Sequence, residues 1–171
     1  ACLVGSEMCI RDRGKNTLML EQEVSNVRSY IEIQQVMHDN SFDVDIDISS
    51  DILKAESLNL ILQPLVENAI DHGIDLLTDR RGVITIKGSR CPYINTANEN
   101  IDIVCLSVAD NGVGMDENMC KSFLTAESKG YGARNVNDRI RLFYGEEYHL
   151  EVKSIVGAGT TITIKFPVRL M

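Results

Sequence analysis

The sequence predicts a two-layer α+β sandwich, in which a mixed sheet carries helices on one face. Segments in which polar and apolar residues alternate, as in half-buried strands, stand between segments whose apolar residues recur at helical spacing. An apolar fraction of 44% is enough to form a core, and 171 residues suit one domain or one domain with an appendage.

The first predicted elements are a helix over residues 17–37 and a strand over 42–48. Apolar residues form a seam along the helix at Leu20, Val24, Val27 and Ile31. Either this helix packs on its own domain, or it is the end of a dimerisation helix whose start is missing. The strand places Asp43, Asp45 and Asp47 on one face. We interpret this acidic run as a solvated strand face rather than a metal site.

The central predicted helix extends from about residue 57 to 73, with an apolar stripe of helical period. Pro64 within it allows a kink or a late start, and Gly73 is a plausible stop. At about 100° per residue, Asn68 falls at the edge of the stripe and His72 lies one turn further on. An edge position lets a side chain line a cleft between helix and sheet.

The second half of the chain predicts four more strands and one helix. Strands over 83–86 and 101–108 should form an antiparallel hairpin across an Asn-rich loop. Residues 115–129 show little pattern and are expected to be mobile. The last helix and the last two strands are expected at 132–144, 150–155 and 160–166. The buried side of that helix should consist of Ala133, Val136, Ile140 and Phe143.

Bulk properties exclude several classes of protein. The formal charge of −8 and the pI of about 4.9 argue against a nucleic-acid partner, which requires a basic face. The five cysteines include no CxxC pair, so neither a zinc site nor a disulfide framework is expected, and the thiols suit a reducing cytoplasm. No segment approaches the roughly 20 apolar residues of a spanning helix, so we expect the fragment to be soluble.

Asn68 is a candidate metal ligand. Mg²⁺ prefers a few hard oxygen ligands and keeps much of its water. An Asn carbonyl oxygen can join phosphate oxygens around the ion without adding negative charge beside a triphosphate. The alternative is an ordinary Asn on a helix surface.

The segments DNGVG and GAGTT could shape the base end of a nucleotide pocket. Asp110 ends a predicted strand, where its carboxylate could accept a hydrogen bond from the 6-amino group of adenine. Gly112 and Gly114 would let the backbone turn sharply and approach the base. The alternative is a hairpin turn, although no strand follows promptly. Thr160 could place its hydroxyl near Asp110, or it could simply open a strand.

The segment GYGARNV could bind phosphate. Gly130 and Gly132 would leave backbone N–H groups accessible at the start of a helix, whose partial positive charge suits an anion. Lys129 and Arg134 could add positive charge nearby. The dinucleotide fingerprint is absent, because Asn135 stands where its third glycine would be.

In this order, the segments LNLILQPLVENAI, DNGVGM, GARNVNDRIRLFYGEEYHLEV and GAGTTITI resemble the ATP-binding domain shared by DNA gyrase, the heat-shock chaperone ATPase, sensor histidine kinases and MutL. They are most similar to histidine kinases of the LytS/YesM type, and the resemblance covers residues 17–168. It implies a Bergerat-type sandwich, with a mostly antiparallel sheet, that holds ATP and Mg²⁺ under a lid near residues 115–131.

The resemblance also implies roles for single residues. Asn68 resembles the Mg²⁺-binding Asn of the N box, and Asp110 resembles the Asp that contacts adenine. The glycine boxes correspond to Gly112 and Gly114, Gly130 and Gly132, and Gly159 with Thr160. The implied reaction moves the γ-phosphoryl group to a histidine outside this fragment and then to a response-regulator aspartate, largely by positioning and charge neutralisation.

The implied organisation has three parts. Residues 1–13 match nothing that follows and resemble a translated sequencing-adapter string, so we expect a non-native leader. Residues 14–40 resemble the linker helix that follows a dimerisation and phosphoacceptor region, and 41–171 are expected to form the ATP-binding domain. The full-length protein is expected to be a homodimer anchored in the membrane, with this domain in the cytoplasm.

Two features depart from the family. Asp71 stands where Lys or Arg usually reaches the phosphates, so activity could be weakened unless Arg134 and Lys129 compensate. None of the three histidines lies in an acceptor motif; they are His38, His72 and His149. A degenerate nucleotide-binding or dimerisation module is therefore the alternative. A hydrolase is less favoured, because Pro64 stands where the hydrolytic relatives carry a water-activating Glu.

Overall fold

The computed structural model describes residues 17–125 and 131–170. Its strands and helices follow one another largely in the order that the sequence predicts. The strands are β1 (Thr17–Met19), β2 (Phe42–Ile48), β3 (Glu56–Leu58), β4 (Gly82–Ile94), β5 (Asn100–Asp110), β6 (Leu150–Ile155) and β7 (Gly159–Pro167). The α-helices are α1 (Leu20–Met37), α2 (Gln63–Asn68), α3 (Glu117–Ser122) and α4 (Tyr131–Tyr144). A π-helical turn at Ala69–Ile74 directly continues α2.

Five strands form one mixed sheet in the order β2–β4–β5–β7–β6. β2 runs parallel to β4, and the other neighbouring pairs are antiparallel. β4 and β5 form the predicted hairpin, which pairs Ile94 with Asn100 next to the hairpin turn and Ile84 with Asp110 at the opposite end. Asp110 therefore lies at the open end of the two central strands.

The helices pack on one face of this sheet. Ile86, Leu106 and Ile164 on that face are almost completely buried, as are Leu65 and Ile140 on the helices. On the opposite face, a row of Lys87, Ser107 and Thr163 across three paired strands is exposed or half-buried. The predicted two-layer α+β sandwich is confirmed.

The N-terminal helix α1 is joined closely to the rest of the domain. Its seam residues are buried, as the interpretation of a helix packed on its own domain expects. The observed helix begins at Leu20, three residues later than predicted. Residues 17–19 instead form β1, which pairs antiparallel with β3. At the other end of α1, His38 pairs with Asp75 at 3.1 Å.

The central helix was predicted with the wrong limits. Residues 56–58 form strand β3, and α2 begins only at Gln63, so the late start that Pro64 allows is what occurs. Proline fits the first turn of a helix because the N–H it lacks would have no partner there. Gly73 does not end the helix, since the π-helical turn continues through it to Ile74.

Two segments predicted to be irregular contain regular structure among their described residues. β4 continues to Ile94, so much of the expected loop belongs to the hairpin, whose short turn is closed by the side-chain oxygen of Asn95 accepting from Glu99 N at 2.8 Å. The segment predicted to be mobile contains α3, which Asp116 caps by accepting from Met119 N at 2.8 Å. Of the expected buried side of α4, Phe143 is only partly buried.

Surface features agree with the composition. Asp43, Asp45 and Asp47 are exposed, as a solvated strand face requires, and Asp43 pairs with Arg81 at 2.6 Å. Among the helices that the structure describes, none combines the length and the apolar character needed to cross a membrane. The leader expected at residues 1–13 lies outside the described residues.

Candidate functional site

Asp110 is held at the end of β5 by two backbone N–H groups. Its Oδ1 atom accepts from Gly112 N at 2.8 Å and from Thr160 N at 3.3 Å. Burial raises the pKa of this carboxyl group, and the two N–H groups partly oppose the shift. Within residues 17–125 and 131–170, no hydrogen bond reaches the second oxygen, Oδ2. Asp110 therefore presents one fixed oxygen and one oxygen that can accept from a ligand.

Glycines allow three chain segments to meet at Asp110. A Cβ atom added at Gly73 would lie 2.7 Å from Asp110 Oδ1, and one at Gly112 would lie 2.4 Å from the Cα atom of Gly73. At Gly159, where φ is +112°, a Cβ atom would lie 1.9 Å from the main-chain oxygen of Asp110. These distances are too short for any side chain. The π-helical turn at Gly73, the turn at Gly112 and the start of β7 at Gly159 therefore approach Asp110 with backbone atoms alone.

A cavity of about 510 Å³ opens beside Asp110, between α3 and the β6–β7 strands. Asp110, Glu117, Cys120, Ser154 and Ala158 contribute to its lining. A volume of this size suits a small-molecule ligand. Asn68 is not one of the described residues that line this cavity.

Asn68 is the last residue of α2, and its side chain is half-buried. Its Nδ2 atom donates to the carbonyl oxygen of Pro64 at 2.7 Å. Because a carbonyl oxygen can only accept, this contact fixes which way the amide faces and leaves Oδ1 as the atom that can coordinate a cation. A Cβ atom added at Gly132 would lie 3.3 Å from Pro64 Cβ and 3.9 Å from Asn68 Nδ2, so the start of α4 lies against this end of α2.

One helical segment connects the two predicted ends of the site. Gly73, which contacts Asp110, follows Asn68 by five residues, roughly 7 Å along a helix axis. The carbonyl oxygen of Gly73 also accepts from Val113 N at 3.2 Å, which ties this segment to the turn after β5. Asn68 thus lies at one end of this short segment, and Asp110 packs against the other end, at Gly73.

Other predicted site residues have definite neighbours. The N–H of Thr160 contacts Asp110, but its hydroxyl lies 2.8 Å from the hydroxyl of Ser154. Arg134 forms a long ion pair with Asp138, at 3.7 Å. His72 is exposed. Gly114 adopts a φ of +68° next to the carbonyl oxygen of Ile155.

Asp71, the departure from the family pattern, is exposed and close enough to α1 to act on Tyr30. Burial, with smaller contributions from Glu67 and Asp71, raises the pKa of Tyr30 to about 12. The charge of Asp71 therefore contributes at Tyr30 on α1. Gly130 and Lys129 lie outside the described residues.

Sequence reasoning missed several residues that build this site. Ser154 accepts from Met115 N at 2.7 Å and lies 3.0 Å from the carbonyl oxygen of Gly159. The side chain of Asn111 accepts from Val83 N at 2.7 Å. A polar residue in a strand or turn gives no periodic signal, so only the coordinates show these contacts.

The comparisons with known proteins agree with this geometry. A family model described as "Histidine kinase-, DNA gyrase B-, and HSP90-like ATPase" matches residues 53–170. The chain belongs to this family. The predicted resemblance to the ATP-binding domain of sensor histidine kinases is confirmed.

Relatives of this ATPase-family chain include sensor kinases. It is 32% identical to the sensor histidine kinase YesM of Bacillus subtilis over 155 residues, which cover 91% of this chain and 25% of YesM. It is 31% identical to the sensor protein LytS of Oceanobacillus iheyensis over 157 residues, which cover 88% of this chain and 25% of LytS. The chain therefore spans about a quarter of the length of these relatives.

Solved structures share the fold of this ATPase-family domain. The catalytic domain of histidine kinase ThkA matches with a TM-score of 0.65 at 14% identity, over 91% of this chain and 97% of ThkA. The histidine kinase domain of the blue-light activated kinase EL346 of Erythrobacter litoralis matches with a TM-score of 0.57 at 18% identity, over 88% of this chain and 62% of that one. These likenesses confirm the predicted Bergerat-type fold.

Proposed function

We propose that this domain binds ATP with Mg²⁺ and is the catalytic domain of a sensor histidine kinase. In this proposal it transfers the γ-phosphoryl group to a histidine outside residues 1–171. The observation that carries the proposal is the Asp110 carboxylate, which two N–H groups fix through one oxygen while the other oxygen accepts no hydrogen bond from the described residues. A neutral hydrogen-bond donor such as the 6-amino group of adenine fits the open oxygen.

The phosphate end would be built on α2 and α4. Asn68 Oδ1 is available as a ligand, since the amide N–H₂ group is occupied by Pro64. Mg²⁺, when bound, would neutralise charge on the phosphates, which matters in a chain with a formal charge of −8. Gly130 and Gly132 would expose N–H groups, while Arg134 and His72 would lie near the phosphates. Asn68 would be both the metal ligand and the catalytic residue.

The remaining assignments follow from the proposed family role. α1 would join this domain, at residues 41–171, to a dimerisation and phosphoacceptor region of a homodimer, and a response regulator would receive the phosphoryl group. A domain of this kind would work in the cytoplasm on behalf of a membrane-anchored sensor. These partners can be tested by supplying a histidine-bearing dimerisation domain together with γ-labelled ATP. Label on that histidine would support the kinase, whereas steady phosphate release without it would indicate a hydrolase.

Asn68→Ala is expected to remove the gain in ATP affinity that Mg²⁺ provides. Calorimetric titration of ATP with Mg²⁺ and with EDTA measures this gain, which we expect to be at least about tenfold in the wild type, or ~1.4 kcal/mol. The variant should bind ATP equally under both conditions, because the adenine end of the site is intact.

Asn100→Ala is the matched control, since it makes the same chemical change at an exposed position at the far end of β5. An Asn68→Ala domain that keeps the full Mg²⁺ dependence would exclude Asn68 as the ligand. A wild-type domain that does not bind ATP at all would overturn the proposed function.

A further inference from the structure

Arg80, in the segment between the π-helical turn and β4, places one nitrogen atom, which carries two N–H groups, within hydrogen-bond distance of three carbonyl oxygens. Its Nη2 atom lies 2.7 Å from the oxygen of Asn111, 2.9 Å from that of Gly157 and 3.1 Å from that of Gly112. Its Nε atom also donates to Asn111 O, at 3.2 Å. Asp79 pairs with the other terminal nitrogen, at 3.1 Å.

These carbonyl groups belong to two turns that are far apart in sequence. Asn111 and Gly112 follow β5, whereas Gly157 lies in the turn between β6 and β7. Three carbonyl oxygens that point at one place repel one another unless a cation or donor stands between them. Gly157 N also donates to Val113 O at 2.7 Å, so the turns are joined directly once the repulsion is neutralised. Arg80 therefore stabilises the contact between the two turns.

The same two turns orient the Asp110 carboxylate. One N–H group that binds Oδ1 comes from Gly112, in the first turn, and the other comes from Thr160, three residues after Gly157. If the turns separate, the two donors cannot both reach Oδ1, and the direction of Oδ2 is no longer fixed. Arg80 thus acts on the base-reading oxygen through the backbone, without contacting it.

We propose that Arg80 is a positioning residue for base recognition, which holds the two turns together so that Asp110 presents Oδ2 in a fixed direction. This inference rests on the proposed function and adds a determinant of specificity to it. A hydrogen bond from the 6-amino group of adenine requires Oδ2 to point at that group. The same oxygen repels the 6-oxo group of inosine, so a correctly directed Oδ2 favours ATP over inosine triphosphate. The ratio of affinities for ATP and inosine triphosphate therefore reports how well Asp110 is fixed.

Arg81 provides a matched control next to Arg80. Its side chain pairs with Asp43 of the edge strand β2, with contacts of 2.6 and 2.8 Å, and it reaches neither turn. Arg80→Met and Arg81→Met remove the same charge and the same donors from adjacent residues. A difference between them isolates the three carbonyl contacts from a general effect of lost positive charge.

The test measures ATP and inosine triphosphate affinities with Mg²⁺ in the wild type and the variants. Arg80→Met should reduce the ratio of affinities by about tenfold, the size expected when one oriented hydrogen bond is lost. Arg81→Met should leave it unchanged. Arg80→Lys should restore most of the ratio, since an ammonium group carries three donors for three oxygens. The gain from Mg²⁺ should persist in all three variants, because Asn68 lies at the other end of the segment.

A spectroscopic measurement tests the same idea without nucleotide. In amide NMR spectra, Arg80→Met should shift the Gly112 and Thr160 signals, while the Leu150 signal, whose N–H binds Asn137 at 2.9 Å, should stay in place. Equal ATP selectivity in Arg80→Met and wild type, or unmoved Gly112 and Thr160 signals, would overturn the role of Arg80 and leave the proposed function standing. Absence of ATP binding in the wild type would overturn both. A loss of affinity that is equal for both nucleotides would show a merely structural role.

Discussion

Asp110→Ala is expected to weaken ATP binding by about 100-fold or more, because the 6-amino group of adenine loses its acceptor and the two partly buried N–H groups that orient the carboxylate are left without theirs. Calorimetry or competition with a fluorescent nucleotide measures the loss. The effect should be as large with EDTA as with Mg²⁺, since in the proposed site Asp110 contacts the base and not the phosphates. ATP binding by Asp110→Ala at wild-type affinity would mean that the nucleotide does not lie as proposed.

Asp110→Asn makes the same prediction more specific. The amide oxygen can still accept from Gly112 and Thr160, which places the N–H₂ group where Oδ2 stands in the wild type. A donor at that position repels the 6-amino group of adenine and suits the 6-oxo group of inosine. We therefore expect the variant to prefer inosine triphosphate to ATP. An unchanged preference for ATP would contradict the assignment of Oδ2 as the base-reading atom.

The pH dependence of this carboxyl group has a definite sign. Burial raises the folded-state pKa of Asp110 above its ordinary value of 3.8. A raised folded-state pKa contributes stability below the unfolded pKa, and that contribution is lost as pH rises through the folded pKa. At pH 7 the ionised Asp110 therefore costs stability, and Asp110→Asn should unfold at the same or a higher temperature than wild type. ATP affinity of the wild type should fall as acid protonates Asp110.

The position of Asp110 and the turn after it could be predicted because each leaves a local pattern. A strand that ends in Asp followed by two closely spaced glycines predicts both the position of Asp110 and the tight turn after it. Gly73 was predicted only as a helix stop, because its contact with Asp110 joins residues from two distant segments. Arg80 could not be predicted at all, since it binds backbone oxygens, which every residue carries.

The limits of the central helix could not be predicted for a different reason. The segment before Pro64 is rich in Leu and Ile, and a short apolar segment suits a strand and a helix equally. Pairing of β3 with β1 decides in favour of the strand, but β1 lies about 40 residues earlier in the chain. Tertiary contacts, which sequence periodicity does not report, fix where α2 begins.

Those contacts include a buried carboxylate that supports the start of α2. Glu23 on α1 is 0% exposed. Its Oε1 atom accepts from Ile61 N at 2.7 Å and Leu62 N at 2.9 Å, and its Oε2 atom accepts from Leu60 N at 3.0 Å. The first N–H groups of a helix and those just before it have no partner within the helix. Glu23 therefore supplies from another helix the acceptors that α2 cannot supply for itself.

Glu23→Ala is expected to lower the free energy of unfolding by about 3–5 kcal/mol, because two buried N–H groups and one partly buried N–H group lose their acceptor and a cavity replaces the side chain. Urea denaturation followed by circular dichroism measures the change. Glu32→Ala is the control, since Glu32 is exposed on the same helix and its loss should change stability by less than about 0.5 kcal/mol.

A domain of ordinary stability, about 5–15 kcal/mol, could unfold altogether on loss of Glu23, so Glu23→Gln provides a milder variant. Its one amide oxygen can replace Oε1 and serve Ile61 and Leu62, while its N–H₂ group faces the N–H of Leu60. The loss for Glu23→Gln should therefore fall between those of Glu32→Ala and Glu23→Ala. Equal denaturation midpoints for Glu23→Gln and Glu32→Ala would show that α2 does not depend on α1 for its start.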